Sequence, residues 1–300
     1  MTAAARRIAY DRPEFDDGGS VEPDDLENVS RETPTLPRPA ETRIIVVANQ
    51  KGGVGKTTTV VNLATALAKC GLRTVVIDLD PQGNASTALG AEHAEGMQGT
   101  YEVLNGGNIA DLLQRSPEAS NLWVLPATID LAGAEISLVN TLARESQLLH
   151  ALRKFLLQAA VDYVFIDCPP SLGLLTVNAL VAAKEILIPI QCEYYALEGV
   201  TQLLRTIELV TNSMNAGLSL STVLLTMYDS RTKLSNEVAA EVRKYFPLQT
   251  LEATIPRSVR VAEAPSFGQS VINYQFSSAG AQAYLAAARE IASQGIGGQQ

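Results

Sequence analysis

Two kinds of apolar run alternate along this chain. Short unbroken stretches rich in β-branched residues recur at Ile44–Ala48, Thr74–Asp80, Leu122–Leu125, Tyr163–Asp167, Glu185–Ile190, Ser219–Met227 and Leu251–Ile255. Each has the length and composition of a strand buried on both faces. Between them apolar residues return at helical spacing. Lys56–Lys69 sets Val60, Leu63, Ala64 and Leu67 on one side, and Gly71 ends the pattern. Further helical patterns run over Ala85–Leu89, Tyr101–Leu104, Ile109–Arg115, Leu131–Leu142, Gln147–Ala160, Glu198–Asn215, Leu234–Phe246, Arg260–Ala264 and Ala279–Ala292. Strands alternating with helices predict an α/β fold: a doubly wound, mostly parallel sheet with helices on both faces. Right-handed crossovers then bring ligands to the carboxyl ends of the strands.

The first 42 residues break the pattern. Acids crowd Asp11–Glu27, prolines follow at 34, 37 and 39, and periodic apolar positions are few. Such a composition buries too little surface to offset the entropy of ordering, so residues 1–42 are expected to be a disordered acidic tail and residues 43–300 the folded domain. The function of that tail, and of the 84–160 segment, is not legible in the residues.

Composition narrows the classes. The chain is 46% hydrophobic, with no run long enough for a membrane span and no signal-like N-terminus. Three scattered cysteines (Cys70, Cys168, Cys192) form no C-x-x-C pair, against a disulfide framework, a zinc site or an iron–sulfur carrier. A reduced, cytoplasmic protein is expected. The net charge of −9 argues against nucleic acid, but residues 1–42 hold five basic and ten acidic residues and account for −5 of it. Between Tyr228 and Arg260 six bases face four acids. A local cationic patch can bind a polyanion on an acidic molecule.

The chemistry concentrates at Arg43–Thr59, RIIVVANQKGGVGKTTT. A strand feeds Gly52, Gly53, Val54 and Gly55, and Lys56, Thr57 and Thr58 open a helix. Glycines let backbone N–H groups close on a phosphate, and the helix N-terminus adds partial positive charge. Lys56 would sit on the terminal phosphates and the Thr57 hydroxyl would complete a magnesium shell, making ATP and Mg2+ the expected pair. The usual G-x-x-x-x-G-K-[ST] is not quite met, since its first glycine falls at Gln50 and a second lysine, Lys51, precedes the glycines. From the residues alone Lys51 is either an in-chain phosphate contact or a cation delivered from elsewhere. Two strands end in carboxylates beside this loop. TVVIDLD closes on Asp78 and Asp80 before PQGN, and YVFIDCPP closes on Asp167 before two prolines. Asp167 is placed to hold magnesium, and Asp78 either supports that shell or shapes the loop. Ser171 is expected to cap the next helix.

The octet KGGVGKTT resembles the deviant Walker A box of the ParA/MinD group of P-loop ATPases, and the run MYDSRTKLSNEV…IPRSVRVAEAPSFG closely resembles the C-terminal part of ParA/Soj partition proteins. The resemblance spans Arg43 to the C-terminus. It implies a Mg-dependent, slow ATPase in which Lys51 reaches the nucleotide of a second subunit in an ATP-sandwiched homodimer. It places the hydrolysis-linked aspartate at Asp80, and adenine contacts at Met227 and around Pro256. It also implies that arginines matching Arg231 and Arg260 grip DNA without reading sequence. Physically, Arg231, Lys233, Arg257 and Arg260 can neutralise backbone phosphates. The implied cycle is DNA partition: ATP closes the dimer onto nucleoid DNA, and a ParB-like partner stimulates hydrolysis and release. Two alternatives share the fold. A MinD-like membrane-cycling ATPase needs a basic amphipathic C-terminal helix, and AAAREIASQGIGGQQ is not one. An ATPase that positions a protein cluster would share every residue named here.

Overall fold

The computed structural model describes residues 35–294 except Tyr195. The expectation of disorder therefore falls, over residues 1–34, outside the described residues. Eight strands form one sheet: β1 (Arg43–Val47), β2 (Thr74–Asp78), β3 (Gln114–Arg115), β4 (Leu122–Leu125), β5 (Tyr163–Asp167), β6 (Glu185–Gln191), β7 (Ser219–Tyr228) and β8 (Thr250–Pro256), in the order β3-β4-β2-β5-β1-β6-β7-β8. All neighbours are parallel except the short edge strand β3, which runs against β4.

The connecting helices are α1 (Lys56–Lys69), α2 (Asn84–Ala88), α3 (Thr100–Leu104), α4 (Ile109–Leu112), α5 (Ala134–Ser137), α6 (Gln147–Leu156), α7 (Leu174–Ala182), α8 (Glu198–Ser213), α9 (Lys233–Tyr245), α10 (Val259–Glu263), α11 (Val271–Tyr274) and α12 (Ala279–Gln294). Alternate strand residues feed two separate cores. Ile44, Val46, Ile77, Ile166 and Ile188 pack with residues of α6, α7, α8 and α9. On the opposite face, Ile45, Val47, Val76, Phe165 and Leu187 pack with residues of α1 and α12. Strands buried on both sides have no polar face to alternate with, hence their continuous apolar runs.

From β1 the chain crosses by α1 to β2, on one side, while β5 crosses over β1 to β6 on the other. The carboxyl end of β1 is thus a topological switch point, where crossovers leave in opposite directions and open a crevice.

Several local expectations are corrected. The Leu131–Leu142 pattern is not one helix but 3-10 turns at Ile129–Gly133 and Leu138–Asn140 flanking α5. Leu131, Ala134 and Leu138 keep helical spacing and are buried, but each falls in a different one of these three short pieces. The helix at Ile109 stops at Leu112, because Gln114 and Arg115 pair with β4. Ser171 does not cap α7. Gly173 holds that position, and the Ser171 carbonyl instead accepts from Thr176 Oγ1 at 2.7 Å. Helix α11 carries no periodic signal in four residues. The domain's packing also starts before Arg43: Leu36 N–H donates to the Cys70 carbonyl, Thr42 Oγ1 donates to the Val161 carbonyl at 2.7 Å, and Glu41 pairs with Lys184 at 2.7 Å.

Candidate nucleotide site and cationic surface

After Val47 the chain leaves the sheet and Asn49 fixes the turn. Its Nδ2 donates to the Pro189 carbonyl at 2.8 Å and its Oδ1 accepts from Lys51 N–H at 3.0 Å. Thr226 Oγ1 on β7 donates to the Val54 carbonyl at 2.8 Å, tying the middle of the loop to the sheet. Gly55, at φ +88°, enters α1 from the left-handed region that side chains resist. Gly52 is different. Its φ is ordinary and an added Cβ would meet nothing within 4 Å, so no contact within the protein explains glycine there. Backbone bared toward open space at a helix N-terminus suits a close-approaching anion.

Lys56 is 8% exposed, with Nζ 3.5 Å from the Lys51 carbonyl. Burial lowers its pKa, opposed by the charges of Asp167, Cys168 and Asp80. The three carboxylates differ sharply. Asp78 is fully buried with both oxygens engaged: Oδ1 accepts from Asp80 N–H at 3.1 Å, and Oδ2 from Ser86 N–H at 2.9 Å and Ser86 Oγ at 2.7 Å. Burial pushes its pKa up to about 6 against those hydrogen bonds. Asp78 therefore clamps the β2–α2 loop. Asp80 is half-buried and lines the pocket, its Oδ1 accepting from Gln82 N–H at 3.1 Å.

Asp167 is the outlier. Neither carboxylate oxygen is exposed and neither accepts a hydrogen bond of good geometry; the Thr57 side chain and the Lys56 charge are near enough to favour the ionised form but do not satisfy it. Burial, then the nearby Asp78 charge, drives its pKa well above the usual carboxylate range. An orphaned buried carboxylate beside a lysine and a helix-opening threonine fits a divalent cation, which would supply the missing charge. Asp167→Asn is expected to raise the melting temperature of the nucleotide-free protein while suppressing Mg-supported phosphate release. Thermal unfolding and a phosphate assay read the two effects. A lowered melting temperature would mean that the carboxylate already has a stabilising partner.

The loop opens into a cavity of about 490 Å³. Gly52, Gly53, Lys56, Thr57, Thr58 and Asp80 line it from the loop side, joined by Met227, Pro256, Arg257 and Val261 from the ends of β7 and β8 and by Tyr284 from α12. Met227 sits at φ +51°, a strained value for a side-chain-bearing residue, and its sulfur accepts from Gln191 Nε2 at 3.2 Å. Lys51 and Val54 stand outside the wall.

The family model described as AAA domain matches residues 42–220. The Bacillus subtilis sporulation initiation inhibitor protein Soj is 50% identical over 254 residues, covering 84% of this chain and 99% of the relative. The Myxococcus xanthus chromosome partitioning protein ParA is 53% identical over 251 residues, covering 83% and 87%. The chain belongs to the ParA/Soj family of P-loop ATPases. Among solved structures, cobyrinic acid a,c-diamide synthase from Mycobacterium smegmatis with bound ATP analog and magnesium is 42% identical at a TM-score of 0.73, covering 83% of this chain and 93% of that one. The septum site-determining protein MinD of Pyrococcus horikoshii, complexed with Mg-ADP, is 26% identical at a TM-score of 0.67, covering 84% and 96%.

In this ParA/Soj chain the four cations singled out for DNA follow β7 and β8, at the end of the sheet that holds the nucleotide loop. Each is ion-paired. Arg231, 88% exposed, forks onto Asp229 at 2.9 and 2.8 Å. Lys233 faces Glu237 at 3.3 Å and Arg260 faces Glu263 at 3.0 Å. Arg257 pairs with Glu193 and, unlike the others, lines the nucleotide cavity. The local surplus of bases is thus partly neutralised within the fold. Hydrogen bonds from Arg231 hold the Asp229 carboxyl down at about 2. This depressed folded-state value places the pair's contribution above the unfolded pKa near 4, and it is lost as pH falls through about 2. An NMR titration of the Asp229 carboxyl is expected to find its midpoint near 2, and to find it back in the ordinary aspartate range in Arg231→Ala. An ordinary midpoint in the unaltered protein would mean that the fork does not persist in solution.

Sequence reasoning missed several functional supports. Ser86 completes the Asp78 clamp and its Oγ also accepts from Ala127 N–H at 3.0 Å. Asn62 on α1 donates to the Thr58 carbonyl at 2.7 Å and accepts from Val271 N–H at 2.8 Å, linking the loop's helix to the C-terminal region. Tyr284 comes from α12, with its hydroxyl 3.5 Å from Thr59 Oγ1. None has a local pattern that could have announced it. Among the described residues no helix is long and apolar enough to cross a membrane.

Proposed function

We propose that this protein is a DNA-partition ATPase that binds ATP with Mg2+, closes into an ATP-sandwich homodimer and grips nucleoid DNA without sequence preference. The observation that carries the reading is the shared address of two features. The ends of β7 and β8 that wall the nucleotide cavity, at Thr226, Met227, Ile255 and Pro256, lead directly into the segments that present Arg231, Lys233 and Arg260 to solvent. Nucleotide occupancy and a polyanion surface therefore meet on the same strand ends.

Roles follow from the surroundings. Lys56 holds the terminal phosphates, and the loop amides from Gly52 to Thr58 accept the remaining charge. Met227 and Pro256 frame the adenine. Thr57 and Asp167 hold the magnesium, with Asp78 supporting them by fixing the loop. When bound, the cation neutralises charge on the phosphates during transfer. Asp80, at the cavity wall, orients the attacking water. No ion pair holds the Lys51 ammonium among the described residues, which leaves it available to reach a second subunit's nucleotide. Dimerisation doubles the cationic surface, and the second half binds at high effective concentration. A ParB-like partner stimulates hydrolysis and ends the attachment.

The test is binding to arbitrary duplex DNA with ATP, with ADP and without nucleotide, over a salt series. ATP-dependent binding is expected, with log affinity falling in log salt at a slope of about −5 for six cations in a dimer. No DNA binding with an intact ATP-dependent dimer would overturn the reading in favour of membrane or protein-cluster cargo.

A further inference from the structure

The geometry points to Arg257 as a nucleotide-binding residue at the base end of the cavity rather than a DNA contact. This rests on the ATPase reading of that cavity, and it separates Arg257 from the three cations with which its sequence neighbourhood groups it.

Three observations converge. First, Arg257 lines the cavity together with Met227, Pro256, Ser258 and Val261, whereas Arg231, Lys233 and Arg260 do not. Second, its backbone is pinned there: Arg257 N–H donates to the Tyr228 carbonyl at 3.1 Å, extending the β7–β8 pairing beyond Tyr228 and Pro256. The side chain thus starts from a rigid strand end and not from the mobile end of a loop. Third, its counter-ion is non-local. Arg231, Lys233 and Arg260 pair with acids two to four residues away on their own loop or helix, whereas Arg257 pairs with Glu193, beyond the end of β6. Glu193 N–H donates to the Gln191 carbonyl at 2.8 Å, and Gln191 is the residue that holds the strained Met227. The Arg257–Glu193 pair therefore bridges the ends of β6 and β8 across the β7 loop, at the rim of the cavity.

The phosphate end already has Lys56 and the loop amides. The lining around Arg257 carries no other charge: Met227, Ile255, Pro256, Ser258, Val261 and Ala262. Arg257 lines this wall with its guanidinium held by Glu193, and a guanidinium released from that pair into the slot would match the face or ring nitrogens of a purine, to which it can stack or donate. Glu193 sets the orientation of that guanidinium while the slot is open. The ligand class is a purine nucleotide, recognised by its base and not by its phosphates.

The experiment uses the full chain. Arg257→Ala and Arg231→Ala are compared by titration with fluorescent ATP and ADP analogues and by competition with inorganic tripolyphosphate, then by DNA binding at saturating ATP over a salt series. Arg257→Ala is expected to weaken ATP and ADP alike by about tenfold, to leave tripolyphosphate competition unchanged, and to leave the DNA salt slope unchanged. Arg231→Ala is expected to leave nucleotide affinity unchanged and to reduce the slope by about one per protomer. Glu193→Gln, which frees the guanidinium, is expected to retain or tighten nucleotide binding. Unchanged nucleotide affinity in Arg257→Ala, or a loss of nucleotide affinity in Glu193→Gln equal to that of Arg257→Ala, would overturn the assignment. The second outcome would show that the pair acts only as a structural brace. Absence of DNA binding in the unaltered protein would count against the partition reading alone, because the nucleotide titrations still decide Arg257.

Discussion

Lys56→Ala is expected to abolish ATP binding in titrations that detect the unaltered protein's complex. Lys56 is 8% exposed at the first position of α1, and burial already lowers its pKa, so its charge is held at a cost that a phosphate would offset. Removing one member of a buried charge-assisted contact costs about 2–5 kcal/mol, at least about thirtyfold in affinity. The substitution leaves the glycine turn and the Thr226–Val54 tie in place, and it deletes a desolvated charge beside Asp167. Loss of binding should therefore come without loss of the fold. Circular dichroism and thermal unfolding check this second half. Retained nucleotide affinity would sink the phosphate-loop assignment itself, whatever the family resemblance.

Arg231→Glu combined with Arg260→Glu is expected to abolish DNA binding while ATP-dependent dimerisation survives. Both side chains are exposed; Arg231 pairs with Asp229 on its own loop, and Arg260 with Glu263 on its own helix beside the Tyr274 hydroxyl. Exposed, solvent-screened pairs of this kind contribute little to stability, so the fold tolerates their loss. For a polyanion the consequence is much larger. Two reversals per protomer remove four phosphate contacts from a dimer and add four repulsive charges, enough to lower affinity by about a thousandfold or more at moderate salt. The ion pairs seen here add a condition: each arginine must exchange a carboxylate for a phosphate, which favours binding only when many contacts form together. Light scattering with and without ATP gives the dimer, and filter binding gives the DNA. If dimerisation fell with DNA binding, the two arginines would belong to the subunit interface.

The contrast between Asp78 and Asp167 shows where local reasoning stops. Both close a buried strand beside the loop, and both reach the site through the same pattern of β-branched residues followed by aspartate. In sequence they are near equivalents: Asp167 is expected to hold the metal, and Asp78 either to support that shell or to shape the loop. Folded, Asp78 is bound by Ser86 and the Asp80 amide, whereas Asp167 accepts no hydrogen bond of good geometry and has only Thr57 and Lys56 nearby to favour its charge. Asp78 depends on Ser86, eight residues away across a turn whose path the sequence does not announce. Arg257 teaches the same lesson. Charge counting groups it with Arg231 and Arg260, but its partner Glu193 lies 64 residues earlier and its position is set by the β7–β8 register.

The sequence by itself determined seven of the eight strands, the long covering helices and the location of the phosphate loop. Those depend on signals confined to a few residues: unbroken β-branched runs, apolar spacing of three and four, and glycines before a lysine and two threonines. Helix α1 matches its expected span of Lys56–Lys69 for that reason. The tertiary structure alone decided which carboxylate is satisfied, which cation faces the cavity, and where Leu36, Thr42 and Tyr284 attach. Burial and ion pairing depend on residues brought together from distant parts of the chain, and a pairing of that kind leaves no periodic trace in the order of the residues.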